Sequence, residues 1–400
     1  MSGYAPTNLS MNQSPSRTDY RRVAVLIETD DSWGRAVVSA IGQHARQFHW
    51  RILIGPRDSQ NRLCLPKGWP GEGVIVHLRT KWLANHVKKF NLPTVDVATM
   101  MPGERWVGRV ATNDDERAEM AFAHFRERGL QNFACFAPSL GRYSDSRAEI
   151  FAQKVRQVGF HCSLFGAKEG QQGWRLENHH VLKWLAELPR PLGVFASDPY
   201  PARQLAEICD QGGLRVPDEV AILAGDDDDL LCNLAWPRLS AVQLGCHALG
   251  EEASKLLDRL MDGAPIPKET TFISPLRIHS RHSTDILAIS DQELLPILEY
   301  IHREASRGLQ VKELLRKFPV SRRSLEQRFR QHLGRSPAQE IRRVRLDRAK
   351  VLLLETTLAI SEVSEACGFV SCAHFSTSFQ KQFGMAPSDW RTTFGSRLSP

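Results

Sequence analysis

The chain holds eight cysteines in 400 residues but no pair at CxxC spacing. Cys64, Cys135, Cys162, Cys209, Cys232, Cys246, Cys367 and Cys372 are scattered through apolar surroundings. That excludes a disulfide framework, argues against a zinc site, and fits reduced, buried thiols in a cytosolic protein. There is no run of about 18 apolar residues. The opening MSGYAPTNLSMNQSPSRTDY has neither an apolar core nor a cleavage-like site, so neither a membrane span nor a signal peptide is expected. Also missing are a GxSxG elbow, a P-loop, an HExxH pair and a Gly-rich dinucleotide fingerprint. No enzyme, cofactor or metal is therefore expected.

What is present is a globular composition, 42% hydrophobic and 24% charged, over a length that suits two to three domains. Residues 1–20 read as a disordered polar tail. The net charge of +7 is unevenly spread: from residue 286 onward there are 18 Lys+Arg against 12 Asp+Glu, whereas residues 1–285 carry 34 against 33. Within 301–350 the ratio is 15 to 5, on a helical pattern. A basic helical surface is the footprint of a partner with phosphates, a solvated helix face being the alternative.

From residue 22, short apolar runs (VAVLIET, RILIGP, GVIVHL, WVGRVATND, FACFAPS, LGVFASD, VAILAGDDDD) alternate with amphipathic helical stretches, the signature of an α/β fold with parallel strands. Two consecutive α/β lobes account for the length. Beyond KETTFISPLRIHSRHSTD the pattern turns to helix after helix, starting near Asp291. The expected domains are 21–283 and 286–400.

The helical part repeats itself. Ser321/Ser371, Leu325/Phe375, Phe329/Phe379, Gly334/Gly384 and Pro337/Pro387 each stand fifty apart. Each copy reads as a short helix, a turn and a second helix with apolar residues every fourth position, which is helix-turn-helix spacing. Gly334 and Gly384 are expected to end their helices in the left-handed conformation that glycine adopts cheaply. Between the copies, SPAQEIRRVRLDRAKVLLLE predicts a long basic helix able to present two recognition helices to successive major grooves.

With CGFVSCAHFSTSFQKQFGMAPSDWR closing it, this part resembles the DNA-binding domain of the AraC/XylS family. The resemblance implies base-facing Arg323, Glu326 and Gln327 in the first recognition helix, with Arg322 near the backbone, and Ala373, His374 and Thr377 in the second. Arginine suits guanine, glutamine adenine, and glutamate cytosine. Arg342 and Arg343, with Arg345 and Lys350, suit phosphates; Arg328 and Arg330 suit a solvated role.

The order of elements in 22–280 resembles the sugar-binding core of LacI-type regulators. The expected fold class is thus an α/β, two-lobed, periplasmic-binding-protein-like domain followed by an all-α double helix-turn-helix domain. The resemblance implies ligand-binding roles for Asn113 and Asp114 in ATNDDERAEMAF, Arg147 in SDSRAEIF, Asp198 in ASDPYPAR and Asp227 in AGDDDD. Asp226, Asp228 and Asp229 are taken as solvated loop, and Asp114 is equally readable as a helix cap. Trp33 and Arg35 follow the first strand, where a sugar ring can be covered and clamped; a structural role is the other reading. Carboxylates accepting from two hydroxyls, beside a guanidinium fork, suit a neutral polyol better than an anion.

The pairing of the two parts resembles the family of xylose-operon regulators. That implies a pentose effector, D-xylose first, and activation of sugar-use genes. The implied partners are double-stranded promoter DNA, RNA polymerase and a second copy in a homodimer, in the cytoplasm and without a membrane. His77 and Arg79, in HLRTKW, stand where that family leads one to expect an acidic pair, and bear on which sugar is accepted. The competing class is a phosphorylation-controlled response regulator, with ETDD as the acidic pocket.

Overall fold

The computed structural model describes residues 20–138, 143, 146–166, 178–286, 293–333 and 335–394. The expected polar tail, apart from Tyr20, lies outside the described residues, as do Gly334 and Asp291. By contact the chain divides into two units: residues through Phe122 together with Asn132–Asp285, and Ala123–Gln131 together with Ile286 onward.

The first unit holds two six-stranded sheets. One has the order β11 (Thr271–Ile273), β5 (Gly108–Thr112), β4 (Thr94–Asp96), β3 (Gly73–Val76), β1 (Arg21–Leu26), β2 (Trp50–Ile54). The other has the order β12 (Arg277–His279), β10 (Ser240–Gln243), β9 (Val220–Ala224), β8 (Leu192–Ala196), β6 (Asn132–Ala137), β7 (Cys162–Gly166). Apart from the antiparallel β10–β12 pair, the paired strands run parallel. Parallel sheets are covered on both faces, which is why GVIV, LGVFA and VAILA are apolar throughout rather than alternating, and why each is wholly buried.

The chain passes between the sheets three times. It leaves the first after β5 through helix α3 (Asp114–Glu127) and returns after β10 through α8 (Cys246–Met261), which packs on α1 (Ser32–Gln47). It crosses again between β11 and β12, two strands in a stretch that the sequence left unassigned. The sequence also gave no assignment to β7 or to the helix α5 (Asn178–Ala186) that follows it. CSLFG has one fully buried residue in five, so it reads as loop even though it pairs along β6. Gly34 opens α1 so close to the preceding turn that a Cβ there would stand 1.8 Å from the Glu28 carbonyl oxygen.

The second unit is helical: α9 (Leu295–Glu304), α10 (Val311–Lys317), α11 (Arg322–Leu333), α12 (Pro337–Glu355), α13 (Ile360–Ala366), α14 (Cys372–Phe383) and α15 (Pro387–Phe394). It has two separate cores. Leu298, Leu314, Leu325 and Phe329 anchor the first, and Val363, Phe375, Phe379 and Trp390 the second. α12 serves both, giving Ile341 to one and Leu346, Ala349 and Leu353 to the other. Ser321 and Ser371 cap α11 and α14 alike, each hydroxyl accepting the amide three residues on at 3.1 and 3.2 Å. Gly384 ends α14 at φ 73°. All eight cysteines are free, and Cys372, expected to be buried, is exposed at the first position of α14.

Candidate functional site

In open parallel sheets, ligands bind beyond the carboxyl ends of the strands. A cleft of about 680 Å³, counting its open mouth, lies at that place in the first unit. Its walls come from the turn after each strand: Asp31 and Trp33 after β1, His77 and Arg79 after β3, Asp114 after β5, Asp198 after β8 and Asp226 after β9. Glu28 after β1, Arg147 at the start of α4 (Ser146–Gln157) and Arg117 of α3 complete the charged lining.

Asp114 lies at the centre of the ion pairs. Its Oδ1 is 3.2 Å from Nε of both Arg117 and Arg147. Burial pushes this carboxyl up, but Arg147 and Arg117 outweigh it and hold Asp114 below the ordinary carboxylate range. Arg147 is fixed from its other end by Nη1 donating to the Ser197 carbonyl at 2.6 Å. Asp198 accepts the Tyr200 amide at 3.1 Å, capping α6 (Pro199–Gln211), while also lining the cleft. Asp226 is pushed up to about 7 by burial, with Asp198 adding to the rise and Arg117 and Arg147 opposing it. At neutral pH it is therefore poised between accepting and donating hydrogen bonds. Trp33 and His77 meet with ring centroids 5.0 Å apart and give the cleft an aromatic wall.

The structure moves several expected residues. Asp227 does not line the cleft: it takes Arg281 Nη2 at 2.8 Å and His279 Nδ1 at 3.0 Å, and these partners hold it below its ordinary value against the opposing effect of burial. Its neighbour Asp226, in the bend that follows β9, enters the cleft instead. Asp228 is no solvated loop residue either. Its Oδ1 caps α7 (Asp229–Leu234), and its Oδ2 accepts the Ser32 amide at 2.8 Å, while the Asp229 amide donates to Ser32 Oγ at 3.2 Å. The two lobes are clasped there, the start of α1 against the start of α7. Asn113 turns away to bond with Glu116, and Arg35 donates to the Thr29 carbonyl and Ser32 Oγ; neither lines the cleft. Arg117 was missed, although it falls on the stripe of Ala121 and Phe125 at helical spacing, an arginine on a buried face.

In the helical unit, Arg322, Arg323 and Gln327 are exposed on α11 and Glu326 is half-buried; Ala373, His374 and Thr377 are exposed on α14. Arg342 is exposed on α12. Arg343 is not free for phosphate: Nη2 donates to Glu340 at 2.8 Å and Nη1 to Asp347 at 2.7 Å, carboxylates one turn away on either side. Arg345 is likewise engaged, donating to the Ala305 and Leu309 carbonyls at 2.8 and 2.7 Å. Lys350 lies 4.6 Å from the centroid of the Phe383 ring.

Residues 122–284 match the periplasmic binding protein-like domain family, and residues 314–393 the helix-turn-helix domain family. The chain thus joins a periplasmic binding protein-like domain to a helix-turn-helix domain, the architecture of a DNA-binding transcription regulator. It resembles the xylose-operon regulators. The Xylose operon regulatory protein of Escherichia coli (strain K12) is 29% identical over 383 residues, 94% of this chain and 97% of that one. The protein of the same name from Haemophilus influenzae is 28% identical over 93% of this chain and 98% of that one. Among solved structures, that of xylose-binding transcription activator xylR is similar at TM-score 0.61 and 27% identity, over 95% of this chain and all of that one. No described helix is long and apolar enough to cross a membrane.

Proposed function

We propose that this protein is a cytoplasmic, dimeric activator of sugar-catabolism genes whose effector is a pentose, D-xylose first. The supporting observation is the cleft itself: five carboxylates, Glu28, Asp31, Asp114, Asp198 and Asp226, and three guanidinium groups, Arg79, Arg117 and Arg147, line it beside an aromatic wall. The near-full-length likeness to a xylose-binding activator gives the sugar its name.

In this reading Asp114, Asp198 and Asp226 accept from sugar hydroxyls, Arg147 donates to a ring or hydroxyl oxygen, and Trp33 covers one apolar face of the ring. Closing the cleft on the sugar favours one arrangement of the two protomers on paired half-sites near a promoter, where RNA polymerase is recruited. A differential affinity of a few kcal/mol is enough to shift such an equilibrium. On DNA, Arg323, Glu326 and Gln327 read bases from α11 and Ala373, His374 and Thr377 from α14, while Arg322 and Arg342 meet phosphates.

Thermal melting of the purified protein against pentoses, hexoses and sugar acids tests the effector. Saturating D-xylose should raise the midpoint by about 5 to 10 °C. Asp226→Ala should weaken sugar binding by about 100-fold while DNA affinity without sugar is retained. Asp227→Ala should cost stability and leave the cleft's ligand set intact. The presence of His77 and Arg79 in the lining supports a second reading, the same regulator with another sugar; a midpoint raised by a different sugar alone would select it.

A further inference from the structure

Arg117 is the largest charged side chain wholly inside the fold, 2% exposed. Its neighbours come from four elements: Asp114 on its own helix, Arg147 on α4, Asp198 after β8 and Asp226 after β9. The only ion pair it forms among the described residues is with Asp114, whose Oδ1 it shares with Arg147. Neither its Nε nor its Nη1 has a hydrogen-bond partner, and Asp114 Oδ1 and Arg147 Nε likewise lack one of proper geometry. A guanidinium cannot shed its proton to escape burial, so an incompletely paired one is costly to keep in a core. If stability alone mattered, a methionine or leucine would fill this stripe of α3 beside Ala121 and Phe125 better.

We propose that Arg117 is the positioning residue of the effector cleft: from its buried place in the lining it fixes Asp114 between itself and Arg147 and keeps the converging carboxylates as acceptors for adjacent hydroxyls of a neutral polyol. Without it, Asp114, Asp198 and Asp226 would face Arg147 and Arg79 alone. The carboxylate that responds first is Asp226, which burial, Asp198 and Asp31 push toward protonation and which Arg117 and Arg147 hold back. Removing Arg117 raises the Asp226 pKa further. The pH below which sugar binding fades therefore moves upward. The proposal rests on the sugar-sensing reading of the cleft.

The test is calorimetric titration of D-xylose into the full-length protein from pH 5.5 to 8.5, for wild type, Arg117→Met and Arg117→Lys, with a melt of each at every pH. Arg117→Met should bind about tenfold more weakly at pH 7, with the acid limb of its affinity profile displaced by about one pH unit. Arg117→Lys, which keeps the charge but not the planar fork, should restore the limb while remaining weaker in affinity. A folded Arg117→Met with unchanged affinity, or one weaker by the same factor at every pH, overturns the positioning role. Should Arg117→Met fail to fold, Arg117→Lys decides: affinity equal to wild type overturns the proposal, and weaker binding with the limb in place supports it. Wild type that binds no pentose or hexose overturns the functional reading and this proposal together. Wild type that binds while the variants match it overturns this proposal alone.

Discussion

The two helix-turn-helix copies share their buried positions and almost nothing else. Leu325, Phe329 and the cap Ser321 have their counterparts fifty residues on in Phe375, Phe379 and Ser371, and α12 and α15 both begin at a proline. The exposed face of the first recognition helix carries Arg322, Arg323 and Gln327, and that of the second Ala373, His374 and Thr377. The contrast extends inward. Glu340, wholly buried and bound by Arg335, Arg343 and His302, stands fifty before Trp390, which packs edge-on against Phe379 with centroids 5.7 Å apart. One copy is locked by buried charge and the other by aromatic rings. A shared backbone frame thus fixes only the few positions that make its core, and leaves both the locking chemistry and the reading face open to divergence.

The largest effect should come from breaking the two locks. Glu340→Ala should cost about 3 kcal/mol by taking the buried carboxylate from Arg335 and Arg343, which keep only the Glu127 carbonyl and Asp347, and Trp390→Ala a similar amount through the cavity it opens. Their pH dependence separates them. Burial raises the Glu340 carboxyl, but His302, Arg343 and Arg335 outweigh it and depress it well below its ordinary value. A depressed folded pKa gives stability that is fully present above the unfolded value and lost as pH falls below about 4 toward the folded value. Urea melts at pH 7 and pH 3 should therefore show the Glu340→Ala deficit shrinking in acid and the Trp390→Ala deficit persisting.

Next in size, Arg323→Ala should weaken specific DNA binding by about 1 to 3 kcal/mol and relax base preference in one half of the site. His374→Ala at the matching face of the second copy should cost less, because it removes no fixed charge; gel-shift titrations on one operator measure both. Smallest, Ser321→Ala and Ser371→Ala should each cost about 1 kcal/mol, equally, since their caps are the same bond in the same frame.

The repeat was legible because burial in a helix imposes a period, and a fifty-residue recurrence of Phe, Gly and Pro carries that period twice. The succession of parallel strands was legible for a related reason: strands buried on both faces read as unbroken apolar runs. Half-exposed β7 and the three-residue β11 and β12 gave no such signal, since what holds them is pairing to a neighbour distant in the chain. In the cleft, Asp114, Arg147 and Asp198 were legible from resemblance, but the choice among four consecutive aspartates depended on the bend after β9 and on the cap of α7, which four identical letters do not distinguish. Arg343 was misread because a charge on a helix surface and a charge tied to its own helix look alike until the carboxylates at i−3 and i+4 are given positions. Arg117 escaped because one charge among the five of DDERAEMAF reads as solvated unless the apolar stripe is traced through it.

The clasp at Ser32 joins the lobes through backbone amides at the starts of two helices, with Asp228 as its anchor. Both helix starts carry partial positive charge, so bringing them together is unfavourable without the carboxylates of Asp31 and Asp228 between them. Separating the lobes at this point would break both hydrogen bonds, so the clasp ties the helix of one sheet to the helix of the other through residues outside the cleft's lining.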